Sequence, residues 1–357
     1  MRLKVLGIAL LQSALAQSPS IDSLRQAVVA NPDDYVAHFN LGYAYSLGGN
    51  DAEAVAEYQK VLTLHPAVYE AELNMGTSLL RLNKFAEAEA AFRAALSAKA
   101  ESAAAEEGLG RALAREDRLS EAEPHYRKAA ALDPTYKNSL FDLETIYEAH
   151  HHANEAMAIL REFPADPAAQ ERLGALLLEA GVPAEAAGHL EFAVTQSPTT
   201  ANRFELAQAY AKVKRLDKAE PLAAQVVAAA PDDDEARMFY GRVLRDQRKF
   251  QDAAVQFQAV IGHQPQSAQA WNELAGVELV SEQFQPAIAA FQRLRELGAE
   301  KPGDMFFRAT AHDHLHQVKE ALDNYNRFLN ASKGAFPDQE FQARQRIIIL
   351  ERESGKR

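Results

Sequence analysis

Two groups of histidines have the residue type for metal binding. His312, His314 and His316 alternate near the end of the chain; on a helix His312 and His316 would share a face at the i, i+4 spacing of a zinc pair, while His314 would point elsewhere. His150, His151 and His152 stand together in mid-chain. Neither group has an acid or thiol partner placed by sequence, so both read as surface turn histidines and no metal is assigned. Gly108-Leu109-Gly110 lacks the third glycine of a dinucleotide fingerprint, and Asp232-Asp233-Asp234 lacks the glycine and distal Glu of a calcium loop. H-E-x-x-H, G-x-S-x-G and G-K-[ST] are all absent. With 50 Asp and Glu, carboxylate pairs arise by chance on solvated faces, so no catalytic residue and no cofactor are assigned and the chain reads as a non-enzyme.

The chain of 357 residues is 47% hydrophobic and 25% charged, the composition of a folded protein. It has no Cys, which excludes disulfides, thiolate metal sites, a Cys nucleophile and a lipid-bearing cysteine. Arg2 and Lys4 precede an apolar run from Val5 to Ala16, and Ala14-x-Ala16 is the small-residue pattern a signal peptidase accepts before Gln17. Residues 1–16 therefore read as an export signal, too short to span a bilayer, and the mature chain as periplasmic or extracellular. No later stretch is apolar enough for a membrane span. The formal charge of −12 becomes −14 without Arg2 and Lys4, which disfavours a nucleic-acid partner.

The elements that would position any functional residue are set by a repeat. Small residues recur at Gly42, Gly76, Gly110, then Glu144 as the exception, Gly174, Ala207, Gly241, Ala275 and Ala309, at intervals of 34, 34, 34, 30, 33, 34, 34 and 34. Ala54, Ala88, Ala122, Ala156, Ala186, Ala219, Ala253, Ala287 and Ala321 repeat with identical intervals. Around them His38, Leu41, Gly42 and Tyr45 place an apolar stripe on one helix, and the small residues mark where two helices of a unit cross. Pro66, Pro134, Pro198, Pro231 and Pro265 end the second helix, and the acids after them suit the N-terminus of the next.

His38, Leu41, Gly42, Tyr45, Ala54, Tyr58 and Pro66, matched by Trp271, Leu274, Ala275, Ala287 and Phe291, resemble the tetratricopeptide repeat, a helix-turn-helix unit of 34 residues. The resemblance covers about Ile21 to Leu329 and implies an all-α, right-handed superhelical solenoid of about twenty helices. The units expected are 35–68, 69–102, 103–136, a shortened 137–166, 167–199, 200–233, 234–267, 268–301 and 302–335. A capping half-repeat precedes them at 17–34, and a capping helix follows at 336–357, with Asp338 as its cap and Phe341, Ile347, Ile348 and Leu350 as its apolar residues. In the fourth unit Pro164 follows Ala156 by 8 residues, where Pro66 follows Ala54 by 12. A loss of four residues is close to one turn, so the stretch REFPADP reads as a clipped second helix, about 154–163, with looser packing but no new domain.

The family's first helices line an inner groove that holds peptides or partner helices. Positions two before, one after and four or five after the small residue share the face that leaves the unit's own core. There stand Asn40 and Tyr43, with Phe39 beside them, then Asn74, Thr77 and Arg81, then Arg111 and Arg115, and further on Arg242 and Arg245. In similar peptide-binding arrays asparagine holds the ligand backbone, since a carboxamide both donates and accepts. Guanidinium binds carboxylates, so acidic segments or a free C-terminus are suitable ligands, although Glu107, Glu171, Glu205 and Asp246 could pair with these arginines instead. The expected function is an exported scaffold that binds other proteins or peptides in its groove. The alternative is a structural subunit of an envelope assembly, such as secretion, pilus or polysaccharide-export machinery, that meets partners by its convex face or its ends.

Overall fold

A computed structural model describes residues 19–354, which form twenty α-helices and one 3-10 segment, with no strand among the described residues. The expected signal at 1–16 and its cleavage point before Gln17 lie outside them. The chain divides into two compact units, one ending at Leu160 and one beginning at Arg161.

The first unit opens with a single helix, α1 (Ile21–Ala30). Four pairs follow: α2 (Tyr35–Leu47) with α3 (Asp51–Leu64), α4 (Tyr69–Arg81) with α5 (Phe85–Ala98), α6 (Ala103–Arg115) with α7 (Leu119–Leu132), and α8 (Leu140–Ala149) with α9 (Ala153–Leu160). The second unit has five pairs and a closing helix. These are α10 (Pro167–Glu179) with α11 (Pro183–Gln196), α12 (Thr200–Lys212) with α13 (Leu216–Ala229), α14 (Asp234–Asp246) with α15 (Phe250–His263), α16 (Ala268–Val280) with α17 (Phe284–Glu296), α18 (Pro302–His314) with α19 (Val318–Ser332), and then α20 (Pro337–Ser354).

At the glycine crossings the small residue meets a large one sixteen positions downstream. A Cβ on Gly42 would lie 3.1 Å from the Tyr58 ring, on Gly76 2.8 Å from Phe92, and on Gly241 2.5 Å from Phe257. The glycine thus lets an aromatic ring rest against the first helix's backbone. Gly108, the middle residue of the apparent glycine motif, faces the same Phe92 ring from the next pair, so packing accounts for it.

Helix ends follow local chemistry. Asp34, Ser102, Asp166, Thr199, Asp233 and Ser267 each cap a first helix by accepting from its free backbone N–H groups. Second helices end two residues before Pro66, Pro134, Pro198, Pro231 and Pro265. Between the helices of every pair one residue has positive φ: Gly49, Asn83, Asp117, His151, Gly181, Lys214, Arg248, Glu282 and His316. Two of the conspicuous histidines, His151 and His316, thus hold the same turn position in different pairs.

The fourth pair departs from expectation. Its second helix is Ala153–Leu160, 8 residues, and its first is only 10 because Pro134–Ser139 winds as a 3-10 segment. Eight residues make just over two turns, so this pair has a smaller packing face than the others. The two compact units divide at Leu160/Arg161, where α9 ends. Glu144 stands in the small-residue slot and is fully buried.

The closing helix also differs. Ala343 and Leu350 are buried, but Phe341 is 63% and Ile348 43% exposed, so only part of the apolar set covers the array end. Asp338 lies within the first turn, while the Glu340 carboxylate accepts from the Ser332 hydroxyl and the Gly334 N–H, at 2.6 Å each.

Candidate partner-binding surface

Within each unit, first helices pack on first helices of the next pair: α2 on α4 and α4 on α6, and likewise α10 on α12 and α14 on α16. Their outward faces therefore form a strip over α2, α4 and α6 in the first unit and shorter ones over α10 with α12 and α14 with α16 in the second, and the residues singled out by spacing can be placed on these faces.

In the first unit several gather around Tyr58. The Phe39 ring lies 5.9 Å from the Tyr58 ring, and the Asn74 carboxamide stands beside the phenol, which burial pushes up to about 12. Tyr43 is 48% exposed on the same helix as Phe39, and Asn40 is exposed. Thr77 is exposed too, but its hydroxyl donates to the Leu73 carbonyl at 3.0 Å. The two asparagines consequently differ: Asn40 presents its carboxamide to solvent, whereas half-buried Asn74 is placed against the preceding pair.

The arginines are mostly engaged. Arg81 pairs with Asp51 at 2.6 Å and donates to the Ser46 hydroxyl at 2.5 Å, joining α4 to the preceding pair. Arg111 bridges Glu107 at 2.7 Å on its own helix and Asp142 at 2.8 Å on α8. Arg242 holds Glu273 at 2.8 Å; Arg245 contacts the same carboxylate and also Asp246 at 2.8 Å. Only Arg115, exposed in the last turn of α6, has no ion pair among the described residues. Four of the five arginines therefore tie neighbouring elements together, and the carboxylates that satisfy them already occupy the place of an acidic ligand.

The histidine groups do not converge. His312 Nδ1 faces Gln317 at 2.6 Å, His314 stacks on Phe284 at 4.5 Å, and His150 faces Asp117 at 3.3 Å. Among the described residues no group of three or more potential metal ligands stands together.

Two clefts in the second unit were missed by the spacing argument. One, of about 400 Å³, is lined by Phe204, Gln208, Met238, Phe239 and Arg242, with the two Phe rings edge to face at 5.3 Å. The other, of about 820 Å³, lies among α16, α18 and α20 and includes Val280, Phe307 and Arg346. The signal was available, because the slot two before the small residue, filled by Asn40 and Asn74 early on, carries Glu205, Phe239, Glu273 and Phe307 here. Two carboxyls are also displaced: burial pushes Glu205 up to about 7, helped by Glu171 and Glu179, and pushes Glu278 up to about 7.

Family models described as Tetratricopeptide repeat match residues 20–68, 73–137 and 241–304, and 177–243. The chain belongs to the tetratricopeptide-repeat family. This repeat is a protein-interaction fold, and within each unit the described residues are all-α and paired as the repeat requires. Among solved structures it is similar to YrrB, described as a TPR protein with an unusual peptide-binding site, at 20% identity and TM-score 0.32, covering 61% of this chain and 97% of that one. A MamA fragment from Desulfovibrio magneticus RS-1 is similar at 18% identity and TM-score 0.44, covering 47% and 96%. The Naa15/Naa10 complex bound to HypK-THB is similar at 15% identity and TM-score 0.44, covering 88% and 56%. No curated protein matches.

Proposed function

We propose that this tetratricopeptide scaffold is exported and binds a peptide or partner segment along the strip formed by its first helices. The observation that carries the reading is the set of unengaged groups on that strip: the half-exposed Tyr43 ring, the free Asn40 carboxamide and the unpaired Arg115. An aromatic face, a donor–acceptor group and a cation without internal partners can bind a chain without first breaking contacts of the fold. Arg81, Arg111, Arg242 and Arg245 are left out of this set, because a ligand would have to displace Asp51, Glu107, Asp142 or Glu273. Export rests on Arg2, Lys4 and the apolar run to Ala16.

A second reading, assembly through the ends, is favoured by the exposed Phe341, Ile348 and Ile349 on α20. One experiment separates the two. The chain from Gln17 is used to capture partners from native envelope and extracellular fractions beside a variant carrying Asn40→Ala, Tyr43→Ala, Thr77→Ala and Arg115→Ala, and beside Phe341→Ser/Ile348→Ser. A partner lost only with the first variant supports the strip; one lost only with the second rejects it in favour of the end. Finding the native protein in a cytoplasmic fraction with Met1 intact would reject export.

A further inference from the structure

We propose that the cleft among α16, α18 and α20 is a docking site for a segment of another protein chain that carries a large apolar side chain flanked by Lys or Arg. This rests on the reading that the chain binds partner segments, and adds the place and the chemistry. The cleft holds about 820 Å³, room for more than one side chain. Leu279 and Val280 come from α16, Phe306 and Phe307 from α18 and Leu350 from α20. Val280 is 62% and Phe307 42% exposed, so two large apolar groups at the cleft face water. Their counterparts one repeat earlier are Asp246 and Glu273, so these two slots change here from charged to apolar. Exposed large apolar groups bordered by charge mark an interaction site more often than a tolerated surface.

Charge selects the occupant. The lining contains Glu282 in the α16–α17 turn, Glu353 in the last turn of α20, and Asp313. Its one arginine, Arg346, gives Nε and one terminal nitrogen to Asp313 at 2.7 Å each, so that pair cancels. Glu282 and Glu353 have no salt bridge among the described residues, leaving the rim acidic around an apolar floor. A segment with a Leu- or Phe-class anchor buries that floor, and flanking cations meet both glutamates. Acidic segments, suited to the arginines in the sequence, are repelled here.

The test selects short random peptides displayed on phage against the immobilised chain from Gln17. The expected result is enrichment of sequences with a large apolar residue within a few positions of Lys or Arg. Phe307→Ser/Val280→Ser should reduce that enrichment at least about tenfold, since one lost apolar anchor removes that much affinity or more. Glu282→Lys/Glu353→Lys should move the flanking preference to Asp and Glu. All four side chains lie at the surface, so an unchanged thermal melt checks that each variant folds. Enrichment of acidic flanks by the parent, or peptide selection unaffected by Phe307→Ser/Val280→Ser, overturns the proposal. So does concentration-dependent self-association relieved by Phe307→Ser, which would make a second copy the occupant. If peptides are lost through Asn40, Tyr43, Thr77 and Arg115 but not through the cleft, segment binding stands and the cleft fails; if no variant matters because no peptide is selected, both fail.

Discussion

Glu278 allows the sharpest test of the packing described above. Three positions after the small residue, the other pairs bury Tyr45, Leu79, Leu113, Tyr147, Leu177, Leu244 or Tyr210, with His312 in the last pair. Glu278 takes that slot at 7% exposure, with Oε2 lacking any hydrogen-bond partner among the described residues and Gln258 as its hydrogen-bonding neighbour. Burial raises its carboxyl from 4.5 to about 7. Between those values the folded state holds a proton that the unfolded chain has released, so this group's contribution is greatest below 4.5 and is lost as pH rises through 7. The loss is on the order of 3 kcal/mol. In the unit from Arg161 onward, each kcal/mol corresponds to roughly 2–4 °C of Tm. Part of that loss has occurred by pH 5, so Glu278→Leu, of similar volume and matched to its equivalents, should raise that unit's Tm by roughly 5–10 °C at pH 8 relative to its effect at pH 5. Circular dichroism melts of parent and variant at both pH values measure this, and Glu205 cancels in the difference because both proteins carry it. If the gain from Glu278→Leu is equal at pH 5 and pH 8, Glu278 is not ionising against burial and the argument is wrong.

Three further outcomes follow from packing and backbone geometry. Arg308 is 2% exposed and pairs with Glu300 at 2.7 Å, with Asn324 Oδ1 accepting at 2.9 and 2.7 Å, so Glu300→Gln should cost about 3–5 kcal/mol in urea unfolding while Glu300→Leu/Arg308→Leu recovers most of it. Gly241→Ala would place a Cβ 2.5 Å from the Phe257 ring and should cost about 1–3 kcal/mol, whereas Gly188→Ala meets nothing within 4 Å in mid-helix and should stabilise by about 0.5–1 kcal/mol; equal urea midpoints would contradict the crossing geometry. Lys214 has φ 62°, so Lys214→Gly should stabilise by about 1 kcal/mol, and Gly181→Ala, at φ 75°, should destabilise by a similar amount, both read from urea midpoints.

What the sequence discloses depends on whether a structural requirement restricts residue type. A helix crossing accepts almost nothing larger than Gly or Ala, so Gly42, Gly76 and Gly241 announce the fold from spacing alone. The turn between helices makes an equally strict demand on φ but a weaker one on residue type, because Asn, Asp, His, Lys, Arg and Glu all occur there beside Gly49 and Gly181. That position is consequently silent, and His151 and His316 invite a metal reading although their backbone role is sufficient. The pairing of the arginines is hidden for a different reason. Arg81 finds Asp51, Arg111 finds Asp142, and Arg242 finds Glu273, partners 30 or 31 residues away. Such separations are close to one repeat, so the partner belongs to the adjacent pair and escapes a search confined to one helix.

The same logic explains why the second unit's surface is faint in the sequence. In this array strong charges are mostly used between neighbouring pairs, so strong chemistry does not by itself mark an interaction surface. Beside Arg115 and Asn40, the residues left unengaged are weaker signals: an exposed Tyr43 in one unit, and Val280 and Phe307 in the other. They become visible once each slot is followed along the chain, where Asp246 gives way to Val280 and Glu273 to Phe307. Loss of a charge at a solvent-facing slot removes the repulsion that keeps such surfaces apart in solution and leaves apolar area that gains by being covered. The same comparison makes Arg308 and Glu278 stand out, charged residues in slots that elsewhere hold mostly Leu or Tyr. Reading a repeat protein by its departures from its own period therefore separates charges that hold the array together from apolar positions that remain free for a partner.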